Sequence, residues 1–312
     1  MARAGKNGAV YKNYTGTDKS KLIADFQDDE SWSSGAGTQT DDSTNYRLGS
    51  ESIKIADNDN SAGLLYSDLG SLSLNLAQFE SGAASDTSDY IIAMFYVSDA
   101  SLVTNVILGF DIDSSYDGSD AYTYTITSVV DGWNYVKIKK SAFTGTGMPT
   151  WLAVCSIRVG WTSKASASGE YVSFQALYLV DDAYDIALVN KTAYTMEFLT
   201  LVYNWTQDIQ TDVKETTSML QAGVDFKTFI SVLGNHTENI ERYWSNGDFL
   251  GSMGDSVVMN LYVEGLLGYR YDCESKLITD SIQEPVDDLV QESLQFQGTG
   301  ETYYVYVQII DS

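Results

Sequence analysis

The stretch that decides the fold class of this chain runs from Tyr90 to Lys140 and reads YIIAMFYV (90–97), NVILGFDI (105–112), YTYTIT (122–127) and WNYVKIKK (133–140). Aromatic and β-branched residues dominate each run, and polar segments with turn-forming residues separate them, which is typical of strands joined by turns. In the third run Tyr122, Tyr124 and Ile126 share one face and the threonines share the other, as in an antiparallel strand with one face in water. The stretch therefore predicts an antiparallel β-sandwich and argues against an α/β fold.

The same pattern continues on both sides of this stretch. Further strand-like runs are LIADF (22–26), SIKI (52–55), SIRVGWT (156–162) and YVSFQALYLV (171–180). The chain has 312 residues and only two prolines, so it has room for two strand-rich domains that each bury a core.

Several short motifs give residues 18–183 a family resemblance. They are the opening DFQDDESW (25–32), the turn GWN (132–134), KKSAF (139–143) and the closing VSFQALYLV (172–180). In this arrangement the segment resembles the jelly-roll modules of the galactose-binding and carbohydrate-binding type. The resemblance implies an inserted antiparallel β-sandwich.

The C-terminal third has its own order of runs: VYNWTQDIQTDVKETTSM (202–219), DFKTFISVLGNHTENIERYW (225–244), GDSVVMNLYVEG (254–265) and PVDDLVQESLQFQGTG (285–300). Before them, residues 192–205 predict one long strand. Residues 208–221 form a polar, acidic segment that predicts an extended arm. The spacing of Phe226, Phe229, Ile230 and Leu233 before Gly234 predicts a short helix of about two turns.

Together with the N-terminal MARAGKNGAVY (1–11), these runs resemble the major tail tube protein of long-tailed, siphovirus-like bacteriophages. The resemblance implies that residues 1–16 and 185–312 form one tail tube domain, interrupted by the jelly roll at 18–183. The expected fold is all-β: a tail-tube β-sandwich or barrel domain with one short helix, plus the inserted antiparallel β-sandwich.

The resemblance also implies a function in the virion. Tail tube proteins are made in the host cytoplasm and stack as rings, here expected to hold six subunits, into a conduit for DNA ejection. The implied partners are other copies of the chain, the tail terminator, tape measure and distal tail proteins, and duplex DNA that passes through without specific binding. The residues implied for the ring-stacking arm are Asp208, Asp212, Glu215, Thr216, Thr217 and Ser218.

The net charge of −25, from 43 acidic and 18 basic residues, argues against ordinary nucleic-acid binding because phosphates would be repelled. Two interpretations stay open: acidic groups that keep the outer surface soluble, or an acidic lumen along which DNA slides. No apolar run reaches the roughly 18 residues needed to cross a bilayer, so we expect a soluble chain with no membrane partner.

Two polar loops carry candidate binding residues. Trp32 and Tyr116 lie in such loops and are candidates to stack on host-surface glycans if they are exposed. The loop DIDSSYDGSD (111–120) offers Asp111, Asp113 and Asp117 as oxygen ligands for a structural calcium ion. Equally plausible oxygen donors elsewhere in this domain are Asp25, Asp57 and Asp59. An acidic Ser-Gly turn without an ion explains the same spacing, and no other cofactor is expected.

The remaining chemistry-bearing residues are few. Cys155 and Cys273 fall one in each predicted domain, which favours free, buried thiols. The single histidine, His236, lies in GNHTEN and is expected in a solvated turn, with no zinc constellation. No nucleophile elbow, phosphate loop or HExxH motif is present, so we expect no enzyme. The alternative function is a carbohydrate-binding adhesin or tail fibre protein.

Overall fold

The computed structural model of the chain describes residues 3–4, 9–28, 31–57, 62–77, 89–164, 169–215, 229–244, 249, 253–264, 267–284 and 289–311. Its elements are almost all strands: β1 Arg3–Ala4, β2 Val10–Asn13, β3 Ser20–Ala24, β4 Ser33–Ala36, β5 Thr38–Asp42, β6 Ser52–Ala56, β7 Leu64–Leu69, β8 Tyr90–Val97, β9 Val103–Asp111, β10 Ala121–Ile126, β11 Gly132–Lys139, β12 Thr144–Gly145, β13 Ser156–Ser163, β14 Tyr171–Val180, β15 Tyr184–Val189, β16 Thr192–Phe198, β17 Val202–Glu215, β18 Phe229–Tyr243, β19 Ser256–Glu264, β20 Leu267–Gln283, β21 Gln291–Gly298 and β22 Tyr303–Ile310. Short 3₁₀ turns occupy Ala100–Leu102 and Lys140–Ala142. The expected all-β fold class is confirmed.

The first sandwich packs two antiparallel sheets around one core. One sheet has the order β12-β10-β9-β13-β7-β4, and the facing layer has the order β11-β8-β14-β6-β5, with β3 also paired to β14. Side chains that alternate inward along the strands fill the space between them, among them Leu108, Val136 and Phe174. Trp161, fully buried, donates its indole N–H to the carbonyl of Ile55 in the opposite sheet at 2.9 Å. This bond satisfies the one polar atom of a large core side chain.

The second sandwich is organised by β20, which pairs with three other strands of one continuous sheet. Its first half pairs with β19 and β22, and its second half pairs with β21. From β21 the pairing continues through β18 and β17 to β1, whereas from β19 it continues through β2 and β16 to β15. The core between these layers contains Trp205, Ile240, Leu261, Leu277 and Phe296.

The N-terminal strands lie within this second sandwich. Tyr11 on β2 pairs with Phe198 on one side and with Asn260 on the other, and β1 pairs with β17. A two-piece domain of residues 1–16 and 185–312 depends on this pairing, because the two pieces are far apart in sequence.

The two sandwiches are joined by a parallel strand pair and by a shared core. β11 of the first sandwich runs parallel to β22 of the second, from Asn134↔Tyr306 to Ile138↔Ile310. The side chains that meet there include Ile92, Met94, Tyr135, Tyr178, Tyr262, Val305 and Val307. The boundary is therefore a packed interface.

Two expected elements of the second sandwich differ in the structure. The single strand expected at 192–205 is divided into β16 and β17, and Leu201 between them has a positive φ of 64°. The expected short helix is wrong for Phe229, Ile230 and Leu233, which lie on β18; Phe226 lies outside the described residues. A two-turn helix is marginal in water, whereas in the strand the backbone groups that face β17 are paired with it. Among the residues described, no helix has the length and apolarity that a membrane crossing requires.

Candidate functional site

The arm expected at 208–221 is a two-stranded ribbon as far as Glu215. β17 and β18 pair from Val202↔Arg242 to Glu215↔Phe229. β21 covers β18 only over Thr237–Tyr243, and β1 covers β17 only at residues 206–207. Beyond these pairs, the described parts of β17 and β18 pair only with each other. The ribbon therefore leaves the sheet near Asp208 and Thr237.

The six predicted arm residues divide between this ribbon and its tip. Asp208, Asp212 and Glu215 lie on β17, so this part of the expected arm is a β-strand, and its role in ring stacking stays a prediction. Asp208 accepts a hydrogen bond from the Gln210 amide at 2.9 Å. Thr216, Thr217 and Ser218 lie outside the described residues.

At the root of the ribbon, a polar cluster lies on its buried face. Gln207, Glu238 and His236 point inward from β17 and β18, directly beyond the apolar pair of Trp205 and Ile240. His236 is only 4% exposed, so its expected place in a solvated turn is wrong. Because β18 continues through GNHTEN, the alternation of the strand carries the imidazole into the interior.

A third strand completes this cluster. The His236 Nε2 atom lies 3.2 Å from Oε1 of Glu238 and 3.4 Å from Oγ of Ser275 on β20. Ser275 donates to the other carboxylate oxygen of Glu238 at 2.9 Å. Cys273, two residues earlier on the same face of β20, brings its sulfur into the group, and the ligand atoms of His236, Glu238 and Cys273 all lie within 4.8 Å of one another.

Burial controls the protonation of this cluster. It raises the pKa of Glu238 to about 7 and raises that of the Cys273 thiol well above its ordinary value. It lowers the pKa of His236. Among the described residues, the imidazole is the only ion-pair contact of Glu238, so no described lysine or arginine compensates the carboxylate.

The sequence could predict only one part of this cluster, the pair of His236 and Glu238. A spacing of two residues between His236 and Glu238 places both side chains on one face if the segment is a strand. Cys273 comes from a separate strand, and only the sandwich packing brings it there. Cys155 and Cys273 are both free thiols, as expected, although only Cys273 is fully buried.

The structure brings the three candidate calcium ligands together. Asp111, Asp113 and Asp117 place carboxylate oxygens within 4.8 Å of one another. Asp111 is buried and accepts the backbone N–H groups of Asp113 at 3.1 Å and Gly118 at 2.9 Å. Bonds from Ser119 lower the pKa of Asp117. These bonds stabilise the loop without an ion, so calcium stays a prediction.

The two candidate glycan residues have different surroundings. Trp32 is only 7% exposed and stacks on Phe26 with ring centroids 4.7 Å apart, so the expectation that it is exposed is wrong. Burying the apolar indole against the sandwich core outweighs the polarity of its neighbours in sequence. Tyr116 is half-buried, and the Arg158 guanidinium lies 4.2 Å from its ring centroid. Sugar stacking by Tyr116 stays a prediction.

Comparisons with known proteins add little to this description. No protein-family model and no curated protein matches the chain. Solved structures, among them the following three, show some similarity. PfGH50B has a TM-score of 0.33 and 10% identity over 48% of this chain and 22% of its own. The arabinose-bound α-L-arabinofuranosidase MgGH51 has a TM-score of 0.35 and 10% identity over 58% of this chain and 31% of its own, and the glycoside hydrolase domain of Endo-D from Streptococcus pneumoniae R6 has a TM-score of 0.33 and 11% identity over 75% of this chain and 37% of its own. The chain thus spans between 22% and 37% of those chains. At TM-scores this low, the similarity supports no conclusion about the fold or the function of this chain.

Proposed function

We propose that this chain is a structural virion protein that assembles, as stacked rings, into a phage tail tube and has no catalytic role. The observation that carries the proposal is the ribbon of β17 and β18. It extends beyond the last residues covered by β1 and β21, and so calls for a partner outside the monomer.

The length of the ribbon is the physical reason. From Asp208 to Glu215, at about 3.3 Å per residue, the ribbon extends roughly 25 Å beyond the sheet. An isolated two-stranded hairpin is only marginally stable in water. Among the described strands, each strand of the ribbon pairs only with the other along this length, and an open strand edge is a site at which another chain can pair. A neighbouring copy of the chain would supply the missing contacts, and closed rings of copies would leave no edge free.

The charge of the chain agrees with a conduit. A net charge of −25 disfavours binding to DNA phosphates, so a lumen lined by part of this charge would let duplex DNA pass. The first sandwich, at 18–183, would lie outside the tube, because about 160 residues have a radius of gyration near roughly 15 Å. Several copies could not share a lumen with duplex DNA. In that position it would decorate the tail and present Tyr116 toward host-surface glycans.

In this proposal the chain belongs to the virion and meets the tail terminator, tape measure and distal tail proteins at the ends and in the lumen of the tube. The direct test is assembly. Purified full-length protein should give rings or hollow filaments by negative-stain electron microscopy and a mass well above 34.3 kDa by light scattering. A chain that stays monomeric at high concentration, with and without added salt, would overturn the tube and favour the adhesin.

A further inference from the structure

The cluster at the root of the ribbon, formed by His236, Glu238 and Cys273, has the composition of a metal site that the proposed function does not require. All three side chains are buried, and their ligand atoms lie within 4.8 Å of one another. They include the only histidine of the chain and one of its two cysteines. We propose that these three residues bind one structural zinc ion.

The donor set and its spacing favour zinc. One imidazole nitrogen, one thiolate and one carboxylate oxygen match the ligands that zinc takes in tetrahedral sites. Bond lengths of about 2.0–2.3 Å around a tetrahedral ion place neighbouring ligand atoms roughly 3.3–3.7 Å apart. The separation of 3.2 Å between His236 Nε2 and Glu238 Oε1 is close to that spacing without any ion.

The fourth position has candidates on the same buried face. The Oε1 atom of Gln207 is buried and has no hydrogen-bond partner among the described residues, whereas the Nε2 atom of the same amide lies 3.4 Å from Glu238 Oε1. Rotating the amide by half a turn would bring its unpartnered oxygen toward the cluster. Ser275 Oγ, which contacts both His236 and Glu238, is the second candidate. A buried oxygen with no partner is costly unless something occupies the space beside it.

The surroundings hold the imidazole in place and leave a path to it. The backbone of Glu274 hydrogen-bonds the ring, the kind of outer contact that orients metal-binding histidines. A Cβ atom at position 298 would lie 2.2 Å from the ring, so glycine is required there. His236 borders a groove of about 890 Å³ that is also lined by Ile209 and Tyr303, and this groove would admit the ion.

Charge gives the reason for a cation at this place. Binding zinc releases the proton of the Cys273 thiol, and that of Glu238 when it is protonated, to solvent. The thiolate and carboxylate then balance the two positive charges of the ion. Without an ion, a proton shared between His236 and Glu238 is the competing explanation of their short contact.

A zinc ion here would fasten the root of the ribbon. His236 and Glu238 belong to β18, Cys273 belongs to β20, and Gln207 lies on β17 opposite Glu238. The ion would cross-link three strands where the ribbon leaves the sheet, and so fix its direction. The proposal rests on the cluster alone and stands whether or not the chain forms tubes.

The test uses full-length protein stripped with a chelator and reloaded with zinc or cobalt alone. We expect the reloaded protein to hold one equivalent of zinc per chain, measured by elemental mass spectrometry. Its melting temperature should be higher than that of the stripped protein. Cobalt should give the intense visible bands of a tetrahedral site together with a thiolate-to-cobalt charge-transfer band.

Matched variants assign the ligands. Cys273→Ala should lose the charge-transfer band and the stoichiometric zinc, whereas Cys155→Ser, which removes the other cysteine, should keep both. His236→Gln provides a second ligand variant if Cys273→Ala does not fold. Gln207→Ala and Ser275→Ala each remove one candidate for the fourth position, and the variant that weakens zinc binding by about tenfold or more identifies the group that occupies it.

Two results would overturn the proposal. One is stripped and reloaded wild-type protein that retains far less than one equivalent of zinc per chain. The other is a cobalt spectrum that Cys273→Ala and Cys155→Ser share with the wild type. Either result would leave the shared proton as the explanation of the cluster.

Discussion

Arg270 on β20 places its Nη1 atom 3.0 Å from Oδ2 of Asp185 at the start of β15, and both side chains are buried. Tyr135 of the first sandwich and Tyr262 of the second both donate to the same carboxylate. Arg270 also donates to Asp272 at 2.6 Å. The ion pair therefore lies between the two sandwiches and connects them through hydrogen bonds from both sides.

We expect Asp185→Asn to lower the free energy of unfolding by about 3–5 kcal/mol, because it leaves a buried guanidinium with one anionic partner fewer. Urea unfolding followed by tryptophan fluorescence would measure the loss. Asp255→Asn, at an exposed position, is the control and should change stability by less than about 0.5 kcal/mol. Equal effects of the two variants would show that the buried pair does not stabilise the fold.

The same carboxylate predicts a dependence on acid. Burial by itself raises the pKa of Asp185, but the Arg270 guanidinium and further partners outweigh this effect, so the pKa lies below its ordinary value. The folded state therefore binds the proton less readily than the unfolded state. The stabilisation is complete above the unfolded pKa of about 3.9 and is lost as the pH falls through the lower, folded value.

Urea midpoints measured from neutral pH down to about pH 3 should accordingly fall less steeply for Asp185→Asn than for the wild type. Parallel curves for the two proteins would contradict the assignment of this acid sensitivity to Asp185.

The shared core predicts that the first sandwich cannot simply be removed. Deleting residues 18–183 would expose Tyr262, Val305 and Val307, which pack against its side chains. We expect the shortened chain to aggregate on expression, because an exposed apolar patch of this kind promotes association. Adding Val305→Thr and Val307→Thr to the deletion should raise the soluble yield. A soluble, monodisperse product without these changes would contradict the packed interface.

Shortening the ribbon should separate folding from assembly. Replacing residues 211–234 with Asn-Gly joins Gln210 to its partner Asn235 through a two-residue hairpin turn. Because the core pair Trp205 and Ile240 is retained, the melting temperature should stay within about 4 °C of the wild type. Light scattering and electron microscopy should show that long tubes are lost. If the tubes keep their length, the ribbon is not needed for ring stacking and has another role.

We expect calcium to bind at the loop of Asp111 through the exposed carboxylates of Asp113 and Asp117. We expect calcium to raise the melting temperature of the wild type, and Asp117→Asn to remove the increase by taking away one charged ligand. Asp255→Asn, at an exposed aspartate far from this loop in the sequence, is the control and should keep the response. If calcium leaves the melting temperature of all three proteins unchanged, the loop is stabilised by its backbone hydrogen bonds alone.

The local pattern of the sequence was sufficient to predict the first sandwich. The runs at 90–97 and 171–180 coincide with β8 and β14, and the alternation in WNYVKIKK places Val136 and Ile138 in one core and Tyr135 in the other. Period-two alternation and turn residues are local properties, so a strand with this pattern can be recognised before its neighbours are known.

The tertiary structure alone decided the course of residues 229–236 and the surroundings of His236. The apolar spacing of Phe229, Ile230 and Leu233 fits a helix as well as a strand, and the pairing with β17 resolves the ambiguity. His236 appears solvated among polar neighbours, but β20 and β21 cover it and bring Cys273 beside it. Sequence determines which strands can form because that information lies within a few residues. It does not determine which side chains meet, because that depends on packing between strands far apart in the chain.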